Sequence, residues 1–208
     1  IMGEDRLLVG PQLSYQLRHD PDHAAFVLAR YRAAAALIGD AERVVEAGAG
    51  ELIGAGILSN GRRQYVGIDT DEEALAIAAE IYQDRSDVTL HVGSAIDAVW
   101  VGQFDAVVAL DVAEHIPPDQ EEAFFLNLCR ALTPYGRLII GTPSAHMSHL
   151  ASPQSQAGHV NLFTPERLKA RLQRHFHAVQ MLFMQDVALH TGHPQAAHYV
   201  LGVGLAPR

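Results

Sequence analysis

From Arg43 onward, short β-branched and apolar runs alternate with stretches whose apolar residues recur every three or four positions. The runs Arg43 to Ala47, Gln64 to Asp69, Val88 to Val92, Phe104 to Leu110 and Arg137 to Gly141 read as strands spaced as crossover connections require. Between them, Asp71 to Tyr82 is alanine-rich and helical, and Gln120 to Leu132 puts Phe124, Phe125, Leu128 and Leu132 on one helix face. Strand, helix and strand in turn predict an α/β chain with a parallel sheet covered on both faces. Further on, Thr164 caps a helix that has Pro165 at its first position, and Leu168, Leu172 and Phe176 continue its apolar stripe. Ala178 to Met184 and His198 to Leu205 then predict two strands, most simply antiparallel, joined by about a dozen residues without helical periodicity. At the other end, Phe26, Ala33 and Leu37 mark a helix before the first strand, and Gly3 to Asp20 gives a weaker signal. No internal repeat or linker interrupts this order, so residues 1–208 are expected to form one domain, with a helical segment at about 11–38 and a core at about 43–208.

Composition narrows the partners. The chain has 208 residues, 49% of them hydrophobic and 19% charged, the balance of a domain able to bury a full core. Fifteen Lys and Arg against 24 Asp and Glu give a formal charge of -9, a sign that repels phosphate backbones and argues against nucleic acid. No apolar run approaches a membrane span, and the start lacks a basic region followed by an apolar signal core. The single cysteine, Cys129, has no internal partner and lies on an apolar helical pattern. A cytoplasmic location is the expectation. Ile1, ahead of Met2, reads as an expression remnant and is set aside.

Candidate chemistry begins at Glu46-Ala47-Gly48-Ala49-Gly50, where the first strand ends. Glycines there let the backbone approach a ligand closely and take up torsions that side chains disfavour. Asp69, nineteen residues after Gly50, ends the second strand, where a carboxylate can accept both hydroxyls of a ribose. The pair suits an adenosine-containing cofactor, either a dinucleotide or S-adenosylmethionine. A pyrophosphate gains nothing from a carboxylate just before the glycines, whereas the cationic end of S-adenosylmethionine does, so Glu46 tilts the choice toward the latter.

At this point the chain resembles the class I S-adenosylmethionine-dependent methyltransferases, in order from Arg43 to about Met184. The glycine loop is followed by Val66-Gly67-Ile68-Asp69, then Val92-Gly93-Ser94-Ala95, then the stretch from Phe104 to His115 that contains Leu110-Asp111-Val112-Ala113-Glu114-His115, and then Leu132-Thr133-Pro134-Tyr135-Gly136-Arg137-Leu138-Ile139-Ile140. The resemblance implies a Rossmann-like three-layer sandwich whose seven-stranded sheet is mostly parallel with an antiparallel last strand. It implies that Gly48 and Gly50 line the methionine part of the cofactor, with Glu46 near its ammonium group. Asp69, with Thr70 beside it, would hold the ribose, and Ser94, Ala95 and Ile96 would flank the adenine. Leu110 and Asp111 would border the methionine side, with Arg30 a candidate for the methionine carboxylate. Two departures stand out: Leu52 occupies the place of a third glycine, and Ser94 that of an aspartate. Asp111 matches one ligand of metal-dependent catechol-type members, yet Gly141-Thr142-Pro143 offers no following Asp-Asn pair, so no catalytic metal is expected.

The segment from Ala151 to Leu162, with His190-Thr191-Gly192 and Ala197-His198-Tyr199, is similar to bacterial methyltransferases associated with glycan and polysaccharide biosynthesis. That similarity implies a small-molecule acceptor, most simply a sugar hydroxyl. A phenol, quinone or amine metabolite is the alternative acceptor, and a nicotinamide-dependent oxidoreductase or a catalytically silent cofactor-binding module are the rivals of other classes.

Ligands of open parallel sheets bind outside the carboxyl ends of the strands, so His115, His146, His149, His159, His190, His193 and His198 belong to one expected rim. A hydroxyl acceptor must lose its proton, and imidazole is suited to that near neutral pH. His115 is the first candidate base, with His159 and His190 next. His146, Asn161, Asp186 and His198 are expected on the acceptor side. Oligomeric state is not expressed in any local motif.

Overall fold

A computed structural model describes residues 9–98, 100–150 and 153–208; Gly3 to Leu8 of the N-terminal signal, and Ala151 and Ser152 of the glycan-type segment, lie outside the described residues. The strands are β1 (Arg43–Ala47), β2 (Gln64–Asp69), β3 (Val88–Val92), β4 (Phe104–Leu110), β5 (Leu132–Pro143), β6 (Phe176–Gln185), β7 (Ala188–His190) and β8 (Tyr199–Pro207). They form one sheet in the order β3-β2-β1-β4-β5-β8-β6-β7. Strands β3 to β5 pair in parallel, whereas β8 lies antiparallel to both β5 and β6. The fold is Rossmann-like, with eight strands where seven were expected. The extra strand is the three-residue β7, which pairs antiparallel with β6 and is too short to leave a periodic pattern.

Alternation along the strands divides the interior into two cores. Val44, Tyr65, Ala106, Val108 and Ile139 face one side of the sheet, and Val45, Ile68, Val107, Leu138 and Ile140 face the other. Helices α1 (Pro11–His19), α2 (Pro21–Leu37) and α3 (Glu72–Ile81) precede or alternate with β1 to β3, and α2 and α3 cover the first side through Tyr31, Ala34, Leu75 and Ala78. Helices α4 (Glu121–Ala131) and α6 (Pro165–His175) cover the second through Phe124, Phe125, Leu168 and Leu172; the short α5 (Pro153–Gly158) lies in the β5–α6 connection. Thr164 caps α6 by accepting from the Arg167 amide, as its sequence predicts, but Phe176 opens β6 instead of extending the helix.

Two features place the functional end. The chain leaves β1 toward β2 on one side, while β4 flanks β1 on the other, so the carboxyl ends of β1 and β4 diverge around a crevice. The connection after β1 is a single π-helical turn (Ala55–Ser59), which leaves the glycine loop at the mouth of that crevice.

Candidate active site

The backbone of the glycine loop is held from below. The amides of Gly48 and Ala49 donate to the Ile68 carbonyl at 2.9 and 3.1 Å. Gly48 has φ +74°, and a Cβ there would lie 2.2 Å from Val112 Cγ2, so its missing side chain makes room for the turn after β4. Gly50, at φ +50°, faces open space, and it is here that a ligand can approach the main chain. Leu52 keeps a left-handed φ of 55° while its side chain is fully buried. It therefore retains the torsion a third glycine would adopt, and core packing holds that torsion in place. Asp69 closes the loop: Oδ2 accepts from the Gly50 amide at 2.7 Å and Oδ1 from the Asp71 amide at 2.9 Å. Thr70 beside it is exposed.

Glu46 is fully buried beneath the loop, and the Tyr65 hydroxyl donates to its Oε2. Its Oε1 has no partner among the described residues. Burial pushes the carboxyl up to about 7, with hydrogen bonds from Tyr65 and Tyr31 opposing the rise. Ser94 does not project freely; its hydroxyl accepts from the Ile96 amide at 3.1 Å, and Asn127 donates to the Ile96 carbonyl. Ala95 borders an apolar crevice with Ile68, Ala98 and Leu128.

Past β4, Asp111 adopts φ +57° and pairs with Arg30 at 2.8 Å. The Arg30 guanidinium also stacks on the Tyr199 ring, 4.1 Å from its centroid, so it is committed on two sides. One short turn later Glu114 is fully buried, with its Oε2 accepting from the Thr142 hydroxyl at 2.9 Å and its Oε1 unpartnered among the described residues. Burial and the nearby Asp111 charge hold its carboxyl well above the usual range. His115 Nδ1 lies 2.9 Å from the Gly158 carbonyl, and its ring meets that of His159 edge-on at 5.1 Å between centroids. The carbonyl can only accept, so Nδ1 carries the proton and Nε2 presents a lone pair. The Asn161 amide donates to the Glu114 carbonyl at 3.0 Å, fastening the 158–161 loop to this turn. Partial burial, and His115 after it, lower the His159 pKa. Beside His159 a cavity of about 260 Å³ is lined by Ser148, His149, Gln156 and Leu162.

Not every rim residue joins this group. His190 sits on β7, four strands from β4 at the sheet edge, with its ring beside Phe183. At about 4.8 Å per strand that is roughly 19 Å, too far for a base acting near β4. Chain order had placed it on the rim, but the insertion of β8 moves it outward. Asn161 is also corrected: its side chain is buried and spent on Glu121 and Arg167, so it positions the loop instead of touching an acceptor. Asp186 and His198 face each other at 3.6 Å, and His146 faces Glu166 at 3.8 Å.

Residues 45–140 match the methyltransferase domain family. That stretch is a methyltransferase domain. Solved structures agree in architecture. The methyltransferase is similar to the methyltransferase domain of bacterial CtHen1-C at 16% identity and a TM-score of 0.73, over 88% of this chain and 100% of that one. It is similar to an S-adenosylmethionine-dependent methyltransferase from Thermotoga maritima, a possible histamine N-methyltransferase, at 18% and 0.70, over 93% and 95%. It is also similar to the N-methyltransferase NodS from Bradyrhizobium japonicum at 16% and 0.66, over 91% and 99%. At these identities the likeness is one of fold. No curated protein is significantly similar to the chain. No helix among the described residues is long and apolar enough to cross a membrane.

Sequence reasoning missed Glu114, Tyr31, Tyr65, Tyr199 and Thr142. The three tyrosines read as ordinary core aromatics. Glu114 had a detectable signal, a carboxylate directly before the leading histidine candidate and three residues after Asp111, a spacing that one tight turn brings together.

Proposed function

We propose that the methyltransferase transfers a methyl group to a hydroxyl of a sugar or glycan precursor held in the cavity beside His159. S-adenosylmethionine is its cofactor. When bound, it supplies a methyl carbon whose bond to sulfur breaks with the electron pair left on sulfur. The residues present suit it. Gly50 leaves its backbone open, Asp69 offers a carboxylate at the loop, and the unpartnered Oε1 of Glu46 is an acceptor that an ammonium group would satisfy. Asp69 would hold the ribose, Ala95 and Ile96 would flank the adenine, and Leu110 and Asp111 would border the methionine portion. Arg30 would act through Asp111, to which it is already paired.

The observation that carries the acceptor reading is the cavity itself. Four of its five described lining residues, Ser148, His149, Gln156 and His159, are polar, which suits a hydroxyl-rich molecule better than a flat apolar one. His159 lines the cavity, and its ring meets that of His115 in the turn after β4. An acceptor there stands beside the methionine end of the crevice, and alignment of its oxygen with the methyl carbon supplies much of the barrier lowering. The His115–His159 pair handles the proton that a hydroxyl must lose.

Formation of S-adenosylhomocysteine with nucleotide sugars, free sugars, phenols and amines tests the reading, with turnover expected for a sugar. Preferred turnover of a phenol or an amine would overturn the acceptor assignment. His159→Ala should lower turnover by roughly two orders of magnitude or more while leaving cofactor affinity within about twofold.

A further inference from the structure

We infer that Glu114, His115 and His159 form a binding site for a divalent transition-metal ion at the inner wall of the acceptor cavity. One carboxylate oxygen and one ring nitrogen from each histidine all lie within 4.8 Å of one another. A tetrahedral ion with bonds of about 2.1 Å would hold its ligand atoms about 3.4 Å apart, so side-chain movements of roughly 1.5 Å or less complete the site.

What distinguishes this trio from a chance cluster is how its members are supported. The Gly158 carbonyl fixes the His115 tautomer with Nε2 as the lone-pair nitrogen, as the outer partner of a metal-bound imidazole does. Thr142 occupies one oxygen of Glu114, while the other is buried without a partner among the described residues. A buried carboxyl oxygen without a partner is completed by its own proton or by a cation that displaces it. The Asn161 amide bond to the Glu114 carbonyl holds the two contributing loops together.

Two imidazoles and one carboxylate favour zinc, cobalt, iron or manganese over magnesium or calcium, which prefer oxygen ligands. Three protein ligands leave a position open, and His159 turns it toward the cavity. This set differs from the Asp-Asn pattern whose absence argued against a metal, and it reverses that expectation. Its role in catalysis rests on the hydroxyl-acceptor reading above. An acceptor hydroxyl at the open position would be acidified by the cation. With the ion bound, the two imidazoles hold it in place of the acceptor's proton: as the oxygen bonds to the methyl carbon, the carbon–sulfur bond breaks with its electron pair left on sulfur, and the hydroxyl proton passes to water.

Chelator-treated protein of residues 1–208 titrated with Co²⁺ and with Zn²⁺, followed by calorimetry and by the visible absorption of bound Co²⁺, tests the site. One equivalent is expected to bind, with affinity reduced roughly 100-fold or more in His159→Ala and in His115→Ala and unchanged in His190→Ala. Glu114→Gln should weaken binding similarly, and because that side chain is buried its circular dichroism is recorded alongside. His159 is partly exposed, so its variant keeps the test open if the glutamine variant fails to fold. Absence of a Co²⁺ spectrum in the wild type, or equal affinity in His159→Ala, would overturn the site. Full turnover after chelation would remove the cation from catalysis while leaving the acceptor reading intact. Metal binding without sugar turnover would sink the acceptor reading and leave the site standing.

Discussion

Replacing Glu46 with glutamine separates the burial cost of a carboxylate from its use. The folded pKa of about 7 lies above the usual 4.5, so between these values the folded state binds more protons than the unfolded one. This contribution to stability is complete below about pH 4.5, declines as pH rises, and is lost above about pH 7. At about 1.4 kcal/mol for each tenfold change in acidity, the decline amounts to roughly 3 kcal/mol. The side chain is fully buried, so solvent does not dilute the effect. Glutamine has no proton to lose. Urea unfolding of cofactor-free wild type and Glu46→Gln from pH 5 to 8.5 should therefore show wild type losing about 3 kcal/mol relative to the variant, other titrating groups cancelling in the difference. Saturating S-adenosylmethionine should flatten the wild-type decline, because an ammonium beside the carboxylate favours its ionised form. A stability difference that stays constant across this pH range would refute the argument.

Gly48→Ala should destabilise the fold by about 2 to 4 kcal/mol, because the new Cβ meets Val112 and the residue must keep φ +74°; an unchanged melting temperature would count against it. Asp69→Ala should weaken cofactor binding by roughly 1.5 to 3 kcal/mol in titration calorimetry, the range for a charge-assisted hydrogen bond, and unchanged affinity would dispose of the ribose role. Glu121→Ala would strand Arg167, Arg171 and Asn161 around a buried site and should cost about 3 kcal/mol in urea unfolding, whereas Glu122→Ala, at an exposed pair, should cost under about 1 kcal/mol. Equal losses for the two would show that burial is not what matters at α4.

Strands β1 to β4 were legible to the residue because each is a short run rich in valine and other β-formers, closed by Gly48, Asp69, Gly93 or Asp111. Strand β5 was read too short. Its Thr133-Pro134-Tyr135-Gly136 segment looks like a turn, and the register does shift there, from Phe104 against Leu132 to Ala106 against Arg137. The glycine loop and Asp69 came together as their spacing required, since a βα turn and the adjacent strand end are neighbours whatever the rest of the sheet does. The acceptor side was less legible because it depends on which strand lies beside which. Local periodicity finds β6 and β8 without ordering them and passes over β7, so His190 and His159 look equivalent in the sequence. Asn161 was misread for another reason: a buried amide that braces a loop has the same one-letter signature as one that meets a ligand.

The place of β8 between β5 and β6 has a consequence for the order of assembly. Strand β6 is made before β8, yet its inner edge pairs only with β8, from Phe176 opposite Pro207 to Met184 opposite Tyr199. On a growing chain, Phe176, Leu182 and Phe183 therefore have no sheet to join until some twenty further residues follow β6. During that interval β5 also has an open edge and can pair with another molecule instead. Chains ending before Tyr199 should aggregate even though every cofactor-loop residue is present, and light scattering of nested truncations would reveal the threshold. A soluble, protease-resistant chain ending at His198 would show that β6 finds β5 unaided.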